Sequence, residues 1–206
     1  MEAPLDPGPV PALRRIVSAF ETLGIDYYIG GSIASSVHGV FRQTADVDFV
    51  AAIDESCVEP LTQLLQDSFY IDPESIREAI QQGTSFNVIF LDTMEKCDVF
   101  VHQPSAWGRE QMATRLARPA YPGEREVWLE SAACTVVQKL QWFQEAGGVS
   151  DRQWRDVLGV LRTQAEALDR DYLRDWAVRT GVAAELERAL AEADARPPRS
   201  EESDDD

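Results

Sequence analysis

Two aspartates, Asp46 and Asp48, stand at alternate positions in the stretch Asp-Val-Asp-Phe-Val-Ala-Ala-Ile, a pattern typical of a β-strand. Alternate residues of a strand point to one face, so both carboxylates project to the same side, about 6.7 Å apart along the backbone. Hard oxygen ligands with this spacing suit Mg²⁺. Two such ions, about 3.5–4 Å apart, can hold the attacking and leaving oxygens of a nucleotidyl transfer. The spacing therefore predicts a metal site for that chemistry.

A third aspartate, Asp98, alternates with apolar residues in the later stretch Lys-Cys-Asp-Val-Phe. If this strand lies beside the strand of Asp48, Asp98 completes a three-carboxylate site. There it would share one metal ion and help to deprotonate an incoming hydroxyl. Three converging carboxylates would repel one another without a cation, so their convergence would itself argue for bound metal. The alternative for all three residues is a solvated strand edge.

Upstream, Gly30-Gly31-Ser32 follows a β-prone stretch and precedes a helical one. Backbone N–H groups and the positive end of a helix can face a phosphate at such a turn, and the Ser32 hydroxyl adds a donor. Thirteen residues separate Ser32 from Asp46, enough for a helix and a return loop that place the turn beside the acidic strand. The alternative is that the glycines only permit a tight turn. No Gly-Lys-Ser/Thr follows, so the motif is not a P-loop.

Three cationic residues near these motifs are candidates for phosphate contacts: Arg42, Lys96 and Lys139. Arg42 contacts a triphosphate or pins its own loop, and the sequence favours neither alternative. Lys96 stands two residues before Asp98. Lys139 binds a phosphate or covers the apolar residues beside it with its stem, and these alternatives are again equal.

Several other polar or aromatic residues are given structural roles. Arg155-Asp156 is interpreted as a surface pair within one helix, and His38 as a hydrogen-bonded core or loop histidine. Three tryptophans fall on apolar helical stripes and are predicted to be core residues: Trp142, Trp154 and Trp176.

The elements that must position these residues fall into two parts. Residues 12–104 form an α/β module, with helices predicted at 11–23, 33–38, 59–67 and 73–82 and strands at 25–29, 46–53, 85–91 and 96–101, the last two as a hairpin. Residues 105–195 begin with a helix at 107–117 and two extended pieces and continue as helices capped by Ser150 and Asp169. Residues 1–11, with four prolines, are predicted to be an irregular arm, and residues 196–206 a disordered acidic tail.

Composition limits the class of protein. A chain of 206 residues with 44% apolar types can bury one or two cores. Its net charge of −17 disfavours binding to extended duplex nucleic acid, although a local basic pocket is compatible with it. The three cysteines form no C-x-x-C pair, and the sequence has neither a signal-peptide core nor an apolar run long enough to span a membrane. We therefore expect a cytoplasmic protein without a membrane partner.

Taken in order, Gly30-Gly31-Ser32, the run Arg42-Gln43-Thr44-Ala45-Asp46-Val47-Asp48 and the strand of Asp98 resemble the nucleotidyltransferase superfamily, whose fold is similar to the DNA polymerase beta catalytic core. More narrowly, the chain resembles small bacterial members related to abortive-infection and toxin–antitoxin enzymes. The similarity covers residues 25–101, with a looser likeness at Lys139-Leu140-Gln141-Trp142 and Arg155-Asp156. It implies an α/β (α+β) fold in which a mixed sheet with flanking helices precedes a mainly helical C-terminal domain.

The resemblance also implies an activity: Mg²⁺-dependent transfer of a nucleoside monophosphate from an NTP such as ATP to a hydroxyl, with release of pyrophosphate. The acceptor would be a protein, a small molecule or a tRNA end. Asp46, Asp48 and Asp98 would hold two Mg²⁺ ions. The nucleotide would contact the remaining candidates: Gly30, Gly31, Ser32, Arg42, Lys96 and Lys139.

One stretch departs from the pattern of the relatives, in which a Ser-Pro-Glu-Asp-like start often precedes the Lys-Leu helix. Here Ser131-Ala132-Ala133-Cys134 lacks both acids. This difference supports an alternative, a non-catalytic module such as a toxin–antitoxin partner subunit. Metal-dependent phosphoester hydrolysis is a third hypothesis, but the chain lacks the histidines that many such sites use.

Overall fold

The computed structural model describes residues 9–42, 44 and 46–195. The predicted acidic tail lies outside these residues, as does most of the predicted N-terminal arm. The first helix begins at Val10, inside the range predicted to be irregular, because a proline such as Pro11 is tolerated in a first turn, where its missing N–H is not needed. The elements follow one another as α1 (Val10–Leu23), β1 (Tyr27–Ile29), α2 (Gly31–His38), β2 (Val47–Ala51), α3 (Glu55–Leu65), β3 (Phe69–Tyr70), α4 (Pro73–Gln82), β4 (Ser85–Phe90), β5 (Glu95–Val101), α5 (Ala106–Ala113), β6 (Leu116–Pro119), β7 (Glu126–Leu129), α6 (Ala132–Glu145), α7 (Asp151–Thr163), α8 (Arg170–Thr180) and α9 (Ala183–Asp194).

The strands form one mixed sheet in the order β3-β4-β5-β2-β1-β7-β6. The pairs β2–β5 and β1–β7 are parallel, and the other pairs are antiparallel. This confirms the expected mixed sheet and the β4–β5 hairpin. Strands β6 and β7 come from beyond residue 104, so the sheet extends past the expected boundary between the two parts. The division at that residue stays a prediction.

The two faces of the sheet differ in chemistry because side chains alternate along each strand. In β2, Val47, Phe49 and Ala51 are fully buried, and the ring of Phe49 packs edge-on against Phe20 of α1 at 5.6 Å between centroids. Helices α1, α3 and α4 complete this apolar core. Asp48, between these residues, therefore belongs to the opposite face.

The helical half has its own core, formed by α6 to α9. Trp154 and Trp176 are buried in it, as predicted. Ser150 and Asp169 accept N–H groups of the first turns of α7 and α8, which confirms both predicted caps. Helix α2 contacts α6 and α7 as well as β2, so its N-terminus lies where the sheet meets the helical half.

Several element boundaries differ from the predictions, and strand β3 was not predicted. Helix α3 begins at Glu55 and not at residue 59, because Asp54 caps it, and Pro60 lies inside the helix. Helix α5 ends at Ala113 because residues from Leu116 onward pair with β7. The two residues of β3 are too few to show an alternating pattern. None of the helices in the described part of the chain combines the length and apolar character needed to cross a membrane.

Candidate active site

The glycine turn packs directly against Asp48. The Gly30 N–H donates to the Asp48 carbonyl oxygen at 2.9 Å. Gly31 has a φ of 56°, and a Cβ atom at this position would collide with the Asp48 carboxylate. The positive φ and the lack of space for a Cβ atom both require glycine at position 31. The N-terminus of α2 therefore faces the acidic strand, as the spacing between Ser32 and Asp46 predicts.

Asp48 and Asp98 are direct neighbours in the parallel register of β2 and β5. Burial raises the pKa of Asp48, and the charge of Asp98 raises it further, while the charge of Lys139 lowers it. Asp46 precedes β2, and its side chain is exposed. Lys96 lies on the same face as Asp98 and donates to its carboxylate at 3.0 Å. The pairing of strands that the sequence analysis required is thus present.

The donor set fits Mg²⁺ in its chemistry, because all three candidate ligands are carboxylates. The repulsion that raises the pKa of Asp48 is the kind that a cation relieves. As the side chains stand, however, no group of three or more His, Cys, Asp or Glu residues in the described ranges is placed to hold a metal ion. The metal site of Asp46, Asp48 and Asp98 stays a prediction.

Three cations gather beside the N-terminus of α2. Arg42 and Arg152 each donate from Nη2 to the Ser32 hydroxyl oxygen at 2.6 Å. Lys139 donates from Nζ to Asp156 Oδ2 at 2.9 Å, and Arg42 Nε lies 3.3 Å from Asp156 Oδ1. We call these five residues the cationic cluster. Two positive side chains, Arg42 and Lys139, share the Asp156 carboxylate, and Arg152 joins them through Ser32.

The cluster corrects one prediction and refines two others. Asp156 is not a surface partner of Arg155, because its side chain is only 10% exposed and points into the cluster. Lys139 is buried instead of lying over the surface, and its ammonium also lies 5.4 Å from the centroid of the Trp142 ring. Arg42 holds both Ser32 and Asp156, so the loop-pinning role is present whether or not a phosphate binds.

Burial acts on the two central charges in opposite ways. Although burial raises the pKa of Asp156, the charge and hydrogen bond of Lys139 and those of Arg42 outweigh it, so this pKa lies below the ordinary aspartate value. Burial lowers the pKa of Lys139, and Asp156 only partly opposes this. Asp156 is therefore an ionised group at neutral pH and is held by its cations.

A cavity of about 320 Å³ lies beside Asp48 and the glycine turn and is lined by residues of the sheet, α5 and α6. The described residues that line it include no lysine or arginine. We call it the Glu130 pocket, and its lining combines carboxylates, glutamines and aromatic rings: Tyr28, Asp48, Phe100, His102, Gln103, Trp107, Gln111, Glu130, Gln138 and Trp142. Trp142 was expected in the core, but it is partly exposed here. Polar acceptors and flat apolar surfaces thus face one small cavity.

Glu130 is a site residue that the sequence analysis missed. It is 2% exposed, and it accepts hydrogen bonds from Gln111 Nε2 at 2.9 Å and from Thr135 Oγ1 at 3.2 Å. Burial raises its pKa to about 7, despite the lowering effect of these two hydrogen bonds. It directly precedes the stretch 131–134 in which both expected acids are missing. A carboxylate therefore enters this part of the site from the end of β7.

The two histidines have different surroundings. His38 Nε2 is 2.7 Å from the Glu130 carbonyl oxygen, which confirms its prediction as a hydrogen-bonded core residue. His102 lines the Glu130 pocket, and within the described part of the chain its buried Nε2 has no hydrogen-bond partner.

Two solved structures share the fold. The solution structure of the antibiotic-resistance factor ANT(2'')-Ia aligns over 90% of this chain and 94% of its own, with a TM-score of 0.51 and 13% identity. The crystal structure of an antigenic nucleotidyltransferase-like protein from Paracoccidioides brasiliensis aligns over 87% of this chain and 91% of its own, with a TM-score of 0.50 and 16% identity. The sequence matches no protein-family model and no curated protein. The similarity confirms the expected fold.

Proposed function

Because the chain has the nucleotidyltransferase fold, we propose that it transfers a nucleoside monophosphate from an NTP to an acceptor hydroxyl and releases pyrophosphate. The arrangement around Asp48 carries this proposal. Asp48, the strand neighbour of Asp98, lines the Glu130 pocket and packs against the glycine turn that leads to Ser32 of the cationic cluster. Such a site offers separate places for a polyphosphate and for an uncharged reactant.

The triphosphate would lie at the N-terminus of α2. The Ser32 hydroxyl is a donor there, no side chain caps the N–H groups of the first turn, and the helix dipole favours negative charge. Arg42 and Arg152, which converge on Ser32, would bind phosphate oxygens, and Lys139 adds a buried ammonium. These groups position the leaving pyrophosphate and stabilise the charge that develops on it.

Asp46, Asp48 and Asp98 would hold the Mg²⁺ ions, which supply neutralisation of the charge on the phosphate oxygens. Asp48 is fixed by the glycine turn, so its carboxylate keeps its position relative to the phosphates. In this structure Asp98 forms an ion pair with the exposed Lys96. This ion pair must break before Asp98 can bind a metal ion. Lys96 remains a candidate for contacting the nucleotide.

The acceptor would enter the Glu130 pocket. Its volume of about 320 Å³ suits a small molecule, since small-molecule pockets range from about 300 to 1,000 Å³. The carboxylate of Glu130 and the carbonyl group of Gln111 can accept hydrogen bonds from hydroxyls. The negative charge of the carboxylates that line the pocket, Asp48 and Glu130, favours a neutral or positive acceptor over a tRNA end. Glu130 or Asp98 would take the proton of the attacking hydroxyl.

A nucleotide-binding module without transfer activity is the second candidate, and the toxin–antitoxin partner role is its extension. The ion pair between Lys96 and Asp98 supports the module without transfer activity, because the lysine contacts a carboxylate that a metal ion would need. Glu130 weighs against it, since this chain supplies a buried acid beside the stretch that lacks the expected ones.

One experiment separates these candidates. The protein is incubated with Mg²⁺, each γ-labelled NTP and a pooled small-molecule extract, and both NTP binding and release of labelled pyrophosphate are measured. Asp48→Asn tests the site, and Asp92→Asn, an exposed aspartate in the β4–β5 turn, is the matched control. Pyrophosphate release that Asp48→Asn abolishes supports transfer. Binding without such release supports the module, and absence of NTP binding contradicts both.

A further inference from the structure

Asp156 is the anion that joins the cationic cluster together. Its Oδ2 accepts from Lys139 at 2.9 Å and from Ser35 at 3.3 Å, and Arg42 reaches both carboxylate oxygens, at 3.3 and 3.4 Å. The side chains of Lys139 and Asp156 are only 3% and 10% exposed. These are the donors that a phosphate group at the N-terminus of α2 would also use.

The charges of the cluster do not balance. Arg42, Arg152 and Lys139 contribute three positive charges, and Asp156 contributes one negative charge. A buried ammonium without a partner is strongly unfavourable, so Lys139 needs Asp156 when no phosphate is present. When a phosphate is present, the same cations can divide their hydrogen bonds between its oxygens and the carboxylate. The carboxylate then repels the ligand that its partners attract.

We propose that Asp156 is an internal counter-anion that competes with pyrophosphate for Lys139 and Arg42, and thereby speeds the release of this product. The inference rests on the proposed function, because the competing ligand is the phosphate part of the nucleotide. Asp156 touches the cations and not the reacting atoms, so it is a positioning residue. It keeps the site ordered between turnovers and prevents the three cations from retaining the product.

A purely structural role for Asp156 makes the opposite prediction. If the carboxylate only oriented Lys139 and Arg42 for phosphate binding, its loss would disorder them and weaken the binding of anions. If it competes, replacement by the nearly isosteric asparagine removes a negative charge a few ångströms from the ligand and strengthens binding. At an effective dielectric constant near 20, and with screening by salt, we expect a gain of about tenfold.

The test is a calorimetric titration with sodium pyrophosphate, without Mg²⁺ so that the carboxylate site is not involved. Asp156→Asn is compared with Asp156→Glu, which keeps the charge, and with Asp175→Asn, which removes one negative charge from an exposed pair on α8. We expect about tenfold tighter binding by Asp156→Asn alone. Equal or weaker binding by a folded Asp156→Asn protein overturns the proposal, and so does a similar gain in Asp175→Asn.

Thermal unfolding keeps the test valid if Asp156→Asn is only marginally stable. Pyrophosphate would replace the missing carboxylate, so it should raise the unfolding temperature of this variant by more than that of the wild type. An equal or smaller rise overturns the proposal.

Titration of the wild type with MgATP tests the proposed function separately. If MgATP binds but Asp156→Asn gains nothing, only the competition fails; if the wild type binds neither MgATP nor pyrophosphate, the proposed nucleotide site itself is wrong.

Discussion

The two sides of Asp48 have opposite chemistry, although the same helix contributes to both. On one side, Lys139 of α6 pairs with Asp156, and Arg42 and Arg152 donate to Ser32. On the other side, Gln138 of α6 lines a cavity with Glu130 and no cation among the described lining residues. Adjacent residues of one helix thus serve a region that attracts anions and a region that repels them. The difference indicates which reactant belongs on which side.

The comparison also shows why net charge describes this protein poorly. The chain carries −17 overall, yet each of three cations forms a hydrogen bond with Ser32, with Asp156 or with both. The acidic balance weakens binding to a long polyanion, which samples the whole surface. It does not weaken a pocket for one triphosphate to the same degree, because short-range contacts are less screened than distant charges.

The largest expected effect comes from the boundary between the two regions. Gly31→Ala places a methyl group where the Asp48 carboxylate lies and strains a backbone with φ of 56°. We expect pyrophosphate formation to fall on the order of 1,000-fold, because the displaced carboxylate no longer faces the phosphates. Steady-state assays measure this fall.

Gly123→Ala is the matched control for Gly31→Ala. Gly123 has a φ of 82°, but the space around it is open, so this variant has the backbone strain without the collision. Equal loss of activity in both variants would show that the contact between Gly31 and Asp48 is unimportant.

Next in size is the effect on the acceptor side. Glu130→Gln keeps the shape of the side chain but removes the carboxylate that can accept the hydroxyl proton. We expect turnover to fall about 100-fold while the affinity for NTP changes by less than about twofold. Glu126→Gln, at the exposed start of β7, is the control. If Glu130→Gln lost as much NTP affinity as turnover, the Glu130 pocket and the cationic cluster could not be assigned to different reactants.

Glu130→Gln, although it should lower turnover, should raise the stability of the fold at alkaline pH. Because burial raises the pKa of Glu130 to about 7, the folded protein binds more protons than the unfolded chain between the two pKa values, and the free energy of unfolding falls as pH rises through this window. Glu130→Gln removes this loss. We expect it to be more stable than the wild type at pH 8, by up to about 3 kcal/mol, and no more stable at pH 5. Urea unfolding at both pH values measures the difference.

A smaller effect is expected on the phosphate side. Arg42→Gln removes the donors to Ser32 and the ion pair with Asp156, so NTP affinity should fall about tenfold with little change in turnover at saturation. Calorimetry with a non-hydrolysable NTP analogue measures the affinity. Arg14→Gln, which breaks an exposed pair with Glu124, is the control. Unchanged affinity in Arg42→Gln would move the triphosphate away from the cluster.

The smallest effect concerns Lys96. Its pair with Asp98 is half exposed, and such pairs contribute about 0–1 kcal/mol, so Lys96→Met should lower the Mg²⁺ concentration for half-maximal activity by about threefold. A Mg²⁺ titration of the activity measures this. A strong loss of nucleotide affinity would instead show that Lys96 binds the phosphates.

The sequence predicted the residues whose placement depends on local spacing. Asp48 and Asp98 follow from alternation along single strands, and Gly31 from a turn between a strand and a helix. It did not predict Asp156 or Trp142, because a polar helix face gives no sign of the element that covers it. Helix α2 and the Glu130 pocket provide those surroundings from other parts of the chain.

Arg152 and Glu130 were missed for related reasons. Arg152 donates to Ser32, 120 residues earlier in the chain. Glu130 directly follows β7, a short strand in which the buried residues Val127 and Leu129 alternate with exposed ones. The four residues of β7 alone do not show that this strand pairs with β1 in the main sheet. Contacts between distant segments decide both cases, and no local pattern records them.

The position of a bound nucleotide tests the central claim most directly. We expect a crystal structure with Mg²⁺ and a non-hydrolysable ATP analogue to place the β- and γ-phosphates against Ser32, Arg42 and Arg152, with the α-phosphate beside Asp48 and the Glu130 pocket open to an acceptor. Phosphates bound inside the Glu130 pocket, or a nucleotide that contacts neither Asp48 nor the cationic cluster, would contradict the account.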